Sequence, residues 1–358
     1  MSLVGAYDLV IFDLDGVIYL IDKPIDGAAE AVERLRSAGT AIAYATNNAS
    51  RRAPDVAALL TGMGVSAAAD EVLTSAGAAA AMLAERLPAG APVLVVGAEA
   101  LRAEVRDAGL VPVERLEDGP VAVVQGYGPD VGWKILAEAS LAVRAGALWM
   151  ATNTDRTLPS PRGPLPGNGS LVSVLRTALD REPDVVVGKP APALFETAAS
   201  LSKSQRPLAV GDRLDTDIEG AVGAGMDSLL VLTGVSGPAE LLAAPPERRP
   251  TFVSADLSGL FGAASAARIP AGGGELGNQR PAGGDELGSQ RRAGGGELGS
   301  QRPAGGGELG GWRLADGKLE GVGDPVDALR LLAGFVWDGG KARAGSDAAR
   351  DVFSSWGL

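Results

Sequence analysis

An α/β architecture organised around a parallel sheet follows from three features of the chain. From residue 7 to about residue 262, short apolar runs alternate with Ala-rich helical stretches, the pattern of βαβ units. Four of the apolar runs end directly in a short polar segment: Asp13-Leu14-Asp15-Gly16, Thr46-Asn47-Asn48, Gly188-Lys189-Pro190 and Gly211-Asp212 through Asp217. Between the second and third of these segments a further set of runs and helices interrupts the pattern.

Taken in order, the pattern predicts core strands at Leu9 to Phe12, Ala41 to Ala45, Val185 to Val187, Leu208 to Val210 and Leu229 to Leu232. Helices are expected between them at Ala28 to Ala38, Ala53 to Met63 and Ala191 to Ser202. The interrupting set predicts strands at Pro92 to Val96, Val121 to Gln125 and Leu148 to Ala151, with helices at Ala98 to Ala108 and Trp133 to Ala145. The domain reading is therefore a discontinuous core of residues 1–89 and 183–262, with an inserted cap at 90–182.

Beyond the core, Pro270 to Gly311 repeats with an 11-residue period: PAGGGELGNQR, PAGGDELGSQR, RAGGGELGSQR and a truncated PAGGGELGG. An 11-residue period can mark a right-handed helical supercoil. About four glycines and one leucine per repeat leave neither helix propensity nor an apolar stripe, so residues 263–311 read as a disordered linker. Residues 312–358 read as a small α+β module, with a hairpin from Trp312 to Leu319 turning at Asp316-Gly317 and a helix from Pro325 to Val336. About 47 residues make a marginal core, so this tail is expected to dock on something or to be partly disordered.

Composition narrows the chemistry. The apolar runs are shorter than the roughly 18 residues that span a bilayer, and no basic n-region precedes the first strand, so neither membrane nor signal segment is expected. With no cysteine there are no disulfides or thiolate metal sites, which fits a reducing compartment, and the expected location is cytoplasmic. With no histidine, Ser-His-Asp hydrolysis, phosphohistidine chemistry and His-ligated zinc are all excluded. A formal charge of −12 argues against nucleic acid as a partner and favours a hard divalent cation.

The four polar segments supply the parts for phosphoryl transfer. Asp13 and Asp15 stand at the carboxyl end of the first strand, where open α/β sheets bind ligands, and their i, i+2 spacing puts both on one face. One carboxylate can attack phosphorus while the other protonates the departing alkoxide and then deprotonates water. A lone pair of this kind also suits a turn or helix cap. Thr46 and Asn47 offer hydroxyl and amide donors to phosphate oxygens, although they would equally cap the next helix. Lys189, followed by Pro190, can neutralise the nucleophile and the transferring phosphoryl group. Asp212, with Asp13 and a backbone carbonyl near Asp15, would suffice for magnesium. Asp217 is expected behind them, orienting a ligand water or Lys189, and Asp215 is expected to cap or face solvent. A calcium EF-hand at this loop fails for want of the required glycine and terminal glutamate.

In this order, the four segments resemble the four motifs of haloacid dehalogenase (HAD) superfamily phosphatases. The insertion resembles the C2 cap of subclass IIA, which includes NagD-like, phosphoglycolate, pyridoxal phosphate and para-nitrophenyl phosphate phosphatases. The match covers about residues 7 to 262, without departure at a motif position. The resemblance implies a Rossmann-like core, with Asp13 as nucleophile, Asp15 as acid/base, and Thr46, Asn47 and Lys189 binding phosphate. It further implies Mg2+ held by Asp13, Asp15 and Asp212.

The implied activity is hydrolysis of a small phosphorylated metabolite through an aspartyl-phosphate. Glycerol 3-phosphate is preferred, because a tail after a linker is similar to that of actinobacterial glycerol 3-phosphate phosphatases. That tail is described as acetyltransferase-like, but here it is too short for an acetyl-CoA fold and no such activity is expected. The alternatives are 2-phosphoglycolate, a nucleotide, pyridoxal phosphate, or a non-catalytic HAD-fold protein recruiting a partner through its tail. Substrate choice is assigned to the cap, with Tyr127, Asn153, Asp155 and Arg162 as residues placed to face the leaving group. The Pro and Gly density of Pro159 to Gly169 also suits an irregular loop before a helix. A homodimer through the cap is a further expectation.

Overall fold

A computed structural model of the chain describes residues 2–21, 23–270 and 307–358. Its strands, in chain order, are β1 (Leu9–Phe12), β2 (Ala41–Thr46), β3 (Val72–Thr74), β4 (Pro92–Val96), β5 (Val111–Val113), β6 (Ala122–Gln125), β7 (Leu148–Ala151) and β8 (Val185–Val186). There follow β9 (Pro207–Gly211), β10 (Asp227–Val231), β11 (Phe252–Ser254), β12 (Gly307–Leu309), β13 (Trp312–Ala315), β14 (Lys318–Gly321) and β15 (Arg343–Ala344). Two antiparallel two-residue ribbons pair Tyr19–Leu20 with Lys23–Pro24 and Thr157–Leu158 with Leu165–Pro166.

Residues 1–237 and 244–267 form one compact unit with two parallel sheets. The first has strand order β11-β10-β9-β1-β2-β3 and every pairing in it is parallel. Its strands are apolar at consecutive positions because both faces are covered. Val10 and Phe12 face one cluster with Val32, Leu35, Leu60 and Phe252, whereas Leu9 and Ile11 face the other with Leu194 and Phe195. This arrangement is the Rossmann-like α/β fold expected of the core.

The second sheet, β8-β7-β6-β4-β5, is also parallel throughout. Alternate residues again divide between two cores: Val93, Val95, Val124 and Met150 on one side, Leu94, Val96, Val123 and Trp149 on the other. Trp149 is fully buried, and its Nε1 donates to Gln125 Oε1 at 3.1 Å.

The strand Val185 to Val187, read as part of the core sheet, is instead the edge of this second sheet. Val185 pairs with Met150 and Val186 with Ala151, and the pairing runs on through Val187 N to Ala151 O (3.0 Å) and Gly188 N to Thr152 O (2.7 Å). A short apolar run of this kind fits any parallel edge, and here the returning chain meets β7 first. The edge strands β3, β5 and β11 were not read from the sequence; three residues each give little periodicity to detect.

Residues 238–243 and 268–358 make the second unit. Its four-stranded sheet has the order β12-β13-β14-β15, antiparallel except for the last pair. Trp312, Leu314 and Leu319 from the strands pack with Leu331, Leu332 and Phe335 of helix Pro325–Trp337 and with Val352 of helix Asp347–Ser355. The expected hairpin and helix are present, and the C-terminal helix is additional.

Two boundaries move. The linker reading of 263–311 does not hold at its ends, where Ala264–Ala267 is helical and Gly307–Leu309 is β12. For residues 271–306 that reading lies outside the described residues. Helix Pro238–Leu242, assigned to the core by sequence, belongs to the second unit, where Trp337 Nε1 donates to Leu241 O at 3.0 Å. Among the described residues no helix is long and apolar enough to cross a membrane.

Trp149→Ala should lower stability by about 3–5 kcal/mol in urea denaturation, because it empties a fully enclosed site. Trp133→Ala, at a residue 81% exposed, should stay within about 0.5 kcal/mol of the parent.

Candidate active site

Three adjacent central strands, β9, β1 and β2, bring Asp212, Asp13 and Thr46 to a common carboxyl edge. Lys189 reaches the same point from the end of β8. Its ammonium pairs with Asp13 Oδ1, lies 2.7 Å from Asp217 Oδ1 and donates to Ala45 O at 2.9 Å. The lysine side chain is 2% exposed and that of Asp217 3%. Burial works against the charge on Lys189, but Asp13 and Asp217 outweigh it and hold the ammonium above the usual lysine range.

The turn after β9 sets Asp217. Asp217 N and Ile218 N both donate to Arg213 O at 3.1 Å, so Leu214–Ile218 form one widened turn. That turn folds the Asp217 carboxylate back, where Arg213 N donates to its Oδ2 at 3.1 Å. Asp215 points away and is held by the Arg213 guanidinium (3.1 and 2.9 Å), as expected of a residue outside the chemistry.

One oxygen each of Asp13, Asp212 and Asp217 lies within 4.8 Å of the others. Asp212 Oδ2 accepts from Val235 N at 2.7 Å, whereas its Oδ1 is buried without a partner among the described residues. Burial, then Asp217, push the Asp212 carboxyl up to about 7. Asp13 is also raised well above the usual range by burial, against the pull of Lys189 and with the push of Asp217 and Asp212. Three crowded carboxylates sharing one ammonium, with an unpartnered acceptor among them, fit a hard cation with oxygen ligands. Gly16 borders this cluster at φ +85°, and a Cβ there would fall 2.5 Å from Asp212 Oδ2.

The carboxylate group holds Asp13 and Asp212 of the expected metal set, with Asp217 as its third member. The part expected of Asp15 is that of a backbone carbonyl, which a grouping of side-chain carboxylates leaves as it was. Burial raises the Asp15 carboxyl, against Lys189, Arg51 and a hydrogen bond with Tyr19, while Asp155 adds to the rise. A carboxyl held towards its protonated form suits an acid. Tyr19 and Arg51 were not singled out from the sequence; each lies three or four residues past a motif, and only the folded turns bring them to Asp15.

Thr46 is 2% exposed, and its Oγ1 accepts from Asn48 N at 3.1 Å. Asn47 is engaged within the protein through its side chain. Both of its amide hydrogens are occupied, by Lys189 O (2.9 Å) and Asp155 Oδ1 (3.1 Å), so its side chain has no donor left for phosphate. Asn153 is buried and donates to Asn47 O at 2.6 Å, while Asn168 Nδ2 donates to Asn153 O at 2.7 Å. Of the four residues expected to face the leaving group, Asn153 and Asp155 are therefore joined to Asn47. Tyr127 is half-buried, and Arg162 lies exposed on the loop between the two strands of the ribbon.

Residues 10–111 match the haloacid dehalogenase-like hydrolase family, and residues 186–260 match the HAD-hydrolase-like family. The chain is 51% identical over 259 residues to D-glycerol 3-phosphate phosphatase of Mycobacterium tuberculosis, covering 72% of each. The chain belongs to the haloacid dehalogenase-like hydrolases. It is also 36% identical to an acid sugar phosphatase of Staphylococcus saprophyticus, over 70% of this chain and 96% of that one.

Among solved structures, a glycerol phosphate phosphatase from Mycobacterium tuberculosis in complex with magnesium superposes with a TM-score of 0.83 at 40% identity, over 99% of this chain and 98% of that chain. A 4-nitrophenylphosphatase from Thermotoga maritima gives 0.67 at 31% identity, over 74% and 99%. With the geometry above, this HAD hydrolase is a phosphoric monoester hydrolase of the NagD-like group.

Lys189→Met in the HAD hydrolase should lower kcat for 4-nitrophenyl phosphate by about 10²–10³-fold, since it removes a buried cation from developing phosphoryl charge. Retained activity would show that Lys189 does not touch the reaction.

Proposed function

We propose that this HAD hydrolase is a magnesium-dependent phosphomonoesterase with glycerol 3-phosphate as its preferred substrate. The observation that carries the reading is Asp13 at the end of β1, paired with the Lys189 ammonium and grouped with Asp212 and Asp217. Its resemblance to the mycobacterial D-glycerol 3-phosphate phosphatase supports the choice of ester.

In the proposed mechanism an Asp13 oxygen attacks phosphorus in line, the ester O–P bond breaks, and Asp15 gives its proton to the departing alkoxide. Asp15 then takes a proton from water, whose oxygen attacks the aspartyl-phosphate and frees phosphate and Asp13. Lys189 stays protonated throughout and draws charge from both the nucleophile and the phosphoryl oxygens. Asp13, Asp212 and the Asp15 carbonyl, with Asp217 beside them, would hold magnesium, which supplies charge neutralisation for the phosphoryl oxygens. Residues 90–182, as a cap, would bear on the leaving group. A homodimer through that region has support in its exposed apolar side chains, Trp133, Leu141 and Val174.

Magnesium at 100 times its Kd should stabilise the protein by about 2.7 kcal/mol, read as a rise in Tm, and Asp212→Ala should abolish that rise. Asp13→Asn should abolish turnover while circular dichroism stays unchanged; full activity in that variant would sink the nucleophile assignment. A phosphate-release panel of glycerol 3-phosphate, 2-phosphoglycolate, nucleoside monophosphates and pyridoxal phosphate, compared by kcat/KM, tests the substrate. Glycerol 3-phosphate ranking below any of the others overturns it.

A further inference from the structure

Lys189 depends for its position on a side chain that no reaction step uses. Its ammonium end is fixed by Asp13, Asp217 and Ala45 O, and its backbone carbonyl is fixed by Asn47 Nδ2 at 2.9 Å. The second hydrogen of the same amide goes to Asp155 Oδ1 at 3.1 Å, on the loop that follows β7. Both partners of the Asn47 nitrogen are acceptors, so the amide has one workable orientation. Turned over, Asn47 Oδ1 would face the Lys189 carbonyl, oxygen against oxygen.

The oxygen of the same amide supports this reading. Asn47 Oδ1 is buried without a hydrogen-bond partner and rests against Gly188, where a Cβ would stand 2.5 Å from it. Leaving an acceptor orphaned carries a cost, and the two bonds on the nitrogen are what offset it. The Asn47 backbone is held from two further sides, its carbonyl accepting from Asn153 Nδ2 and Ser75 Oγ, both at 2.6 Å. The lysine carbonyl thus hangs on a fixed bracket whose outer support is the Asp155 carboxylate.

We infer that Asp155 is a positioning residue: through the Asn47 amide it fixes the backbone of Lys189 and so places the ammonium on Asp13. The inference rests on the phosphatase reading above and assigns Asp155 a role separate from leaving-group contact. A group that holds the lysine serves every phosphate ester alike, whereas a group that touches the leaving group does not. The two roles therefore separate by substrate.

The test uses the full chain with magnesium, assayed on glycerol 3-phosphate and on 4-nitrophenyl phosphate. Asp155→Ala should lower kcat by about tenfold to a hundredfold, by the same factor for both esters and with KM nearly unchanged. Asp155→Asn keeps an acceptor oxygen towards Asn47 and should stay within about threefold of the parent. Asn47→Ser breaks the bracket from the other side, and adding it to Asp155→Ala should cost little more than the worse single change. If Asp155→Ala does not fold, as judged by Tm, Asp155→Asn and Asn47→Ser carry the test.

A loss confined to one ester, an unaffected Asp155→Ala, an Asp155→Asn as poor as Asp155→Ala, a fully active Asn47→Ser, or additive losses in the double variant overturns the inference. A parent chain inert on every ester overturns the phosphatase reading and this inference with it. An active parent showing any of the preceding outcomes overturns the positioning role alone.

Discussion

One buried ammonium organises the site. Lys189 is enclosed, and it offsets the charge of Asp13 and Asp217 where solvent cannot. Without it three acids at the carboxyl edge of the first sheet would repel one another, and the turn after β9 would lose the partner that draws Asp217 inward. Burial first, and then the neighbouring carboxylates, raise Asp13 and Asp212 in spite of the lysine. Three carboxylates gathered on one ammonium suit a site that works together with a hard cation.

How the lysine arrives there is the less expected part of the fold. Asp13 and Asp212 follow strands of the first sheet, but the lysine follows the edge strand of the second, paired with β7. The two sheets therefore share the site residue by residue. Asn47 from β2, Asn153 and Asp155 from beyond β7, and Lys189 from beyond β8 meet in one hydrogen-bonded knot.

Much of this was legible in the chain. Asp13 and Asp212 follow strands whose apolar runs are unmistakable, and their place at the carboxyl edge follows from the parallel topology. The sheet membership of Val185 to Val187 was not legible, since three valines suit an edge of either sheet and pairing is decided by which strand lies nearest. The motif pattern marked Asn47 as a donor, but not that both hydrogens of its side-chain amide meet protein acceptors, which only the fold brings within reach. Asp217 was placed near Lys189 by reasoning about acids in a loop, whereas its membership of the carboxylate group depends on a turn one residue wider than a helix. In the tail, β12 was hidden because Gly307-Glu308-Leu309 reads as one more copy of a glycine-rich repeat. Its pairing with Trp312 to Leu314 lies in the sequence after it.

The placement of β8 bears on how such enzymes diversify. If an ancestral gene acquired the second sheet as an insert, the segment that travelled as a block was not bounded where the apolar pattern changes, near residue 182. Such a block would include Val185 to Lys189, and with it the ammonium that pairs with Asp13. Recombination between relatives is subject to the same constraint: a crossover between β7 and Lys189 parts a lysine from the strand that carries it, whereas one placed after Pro190 exchanges the sheet and its lysine together.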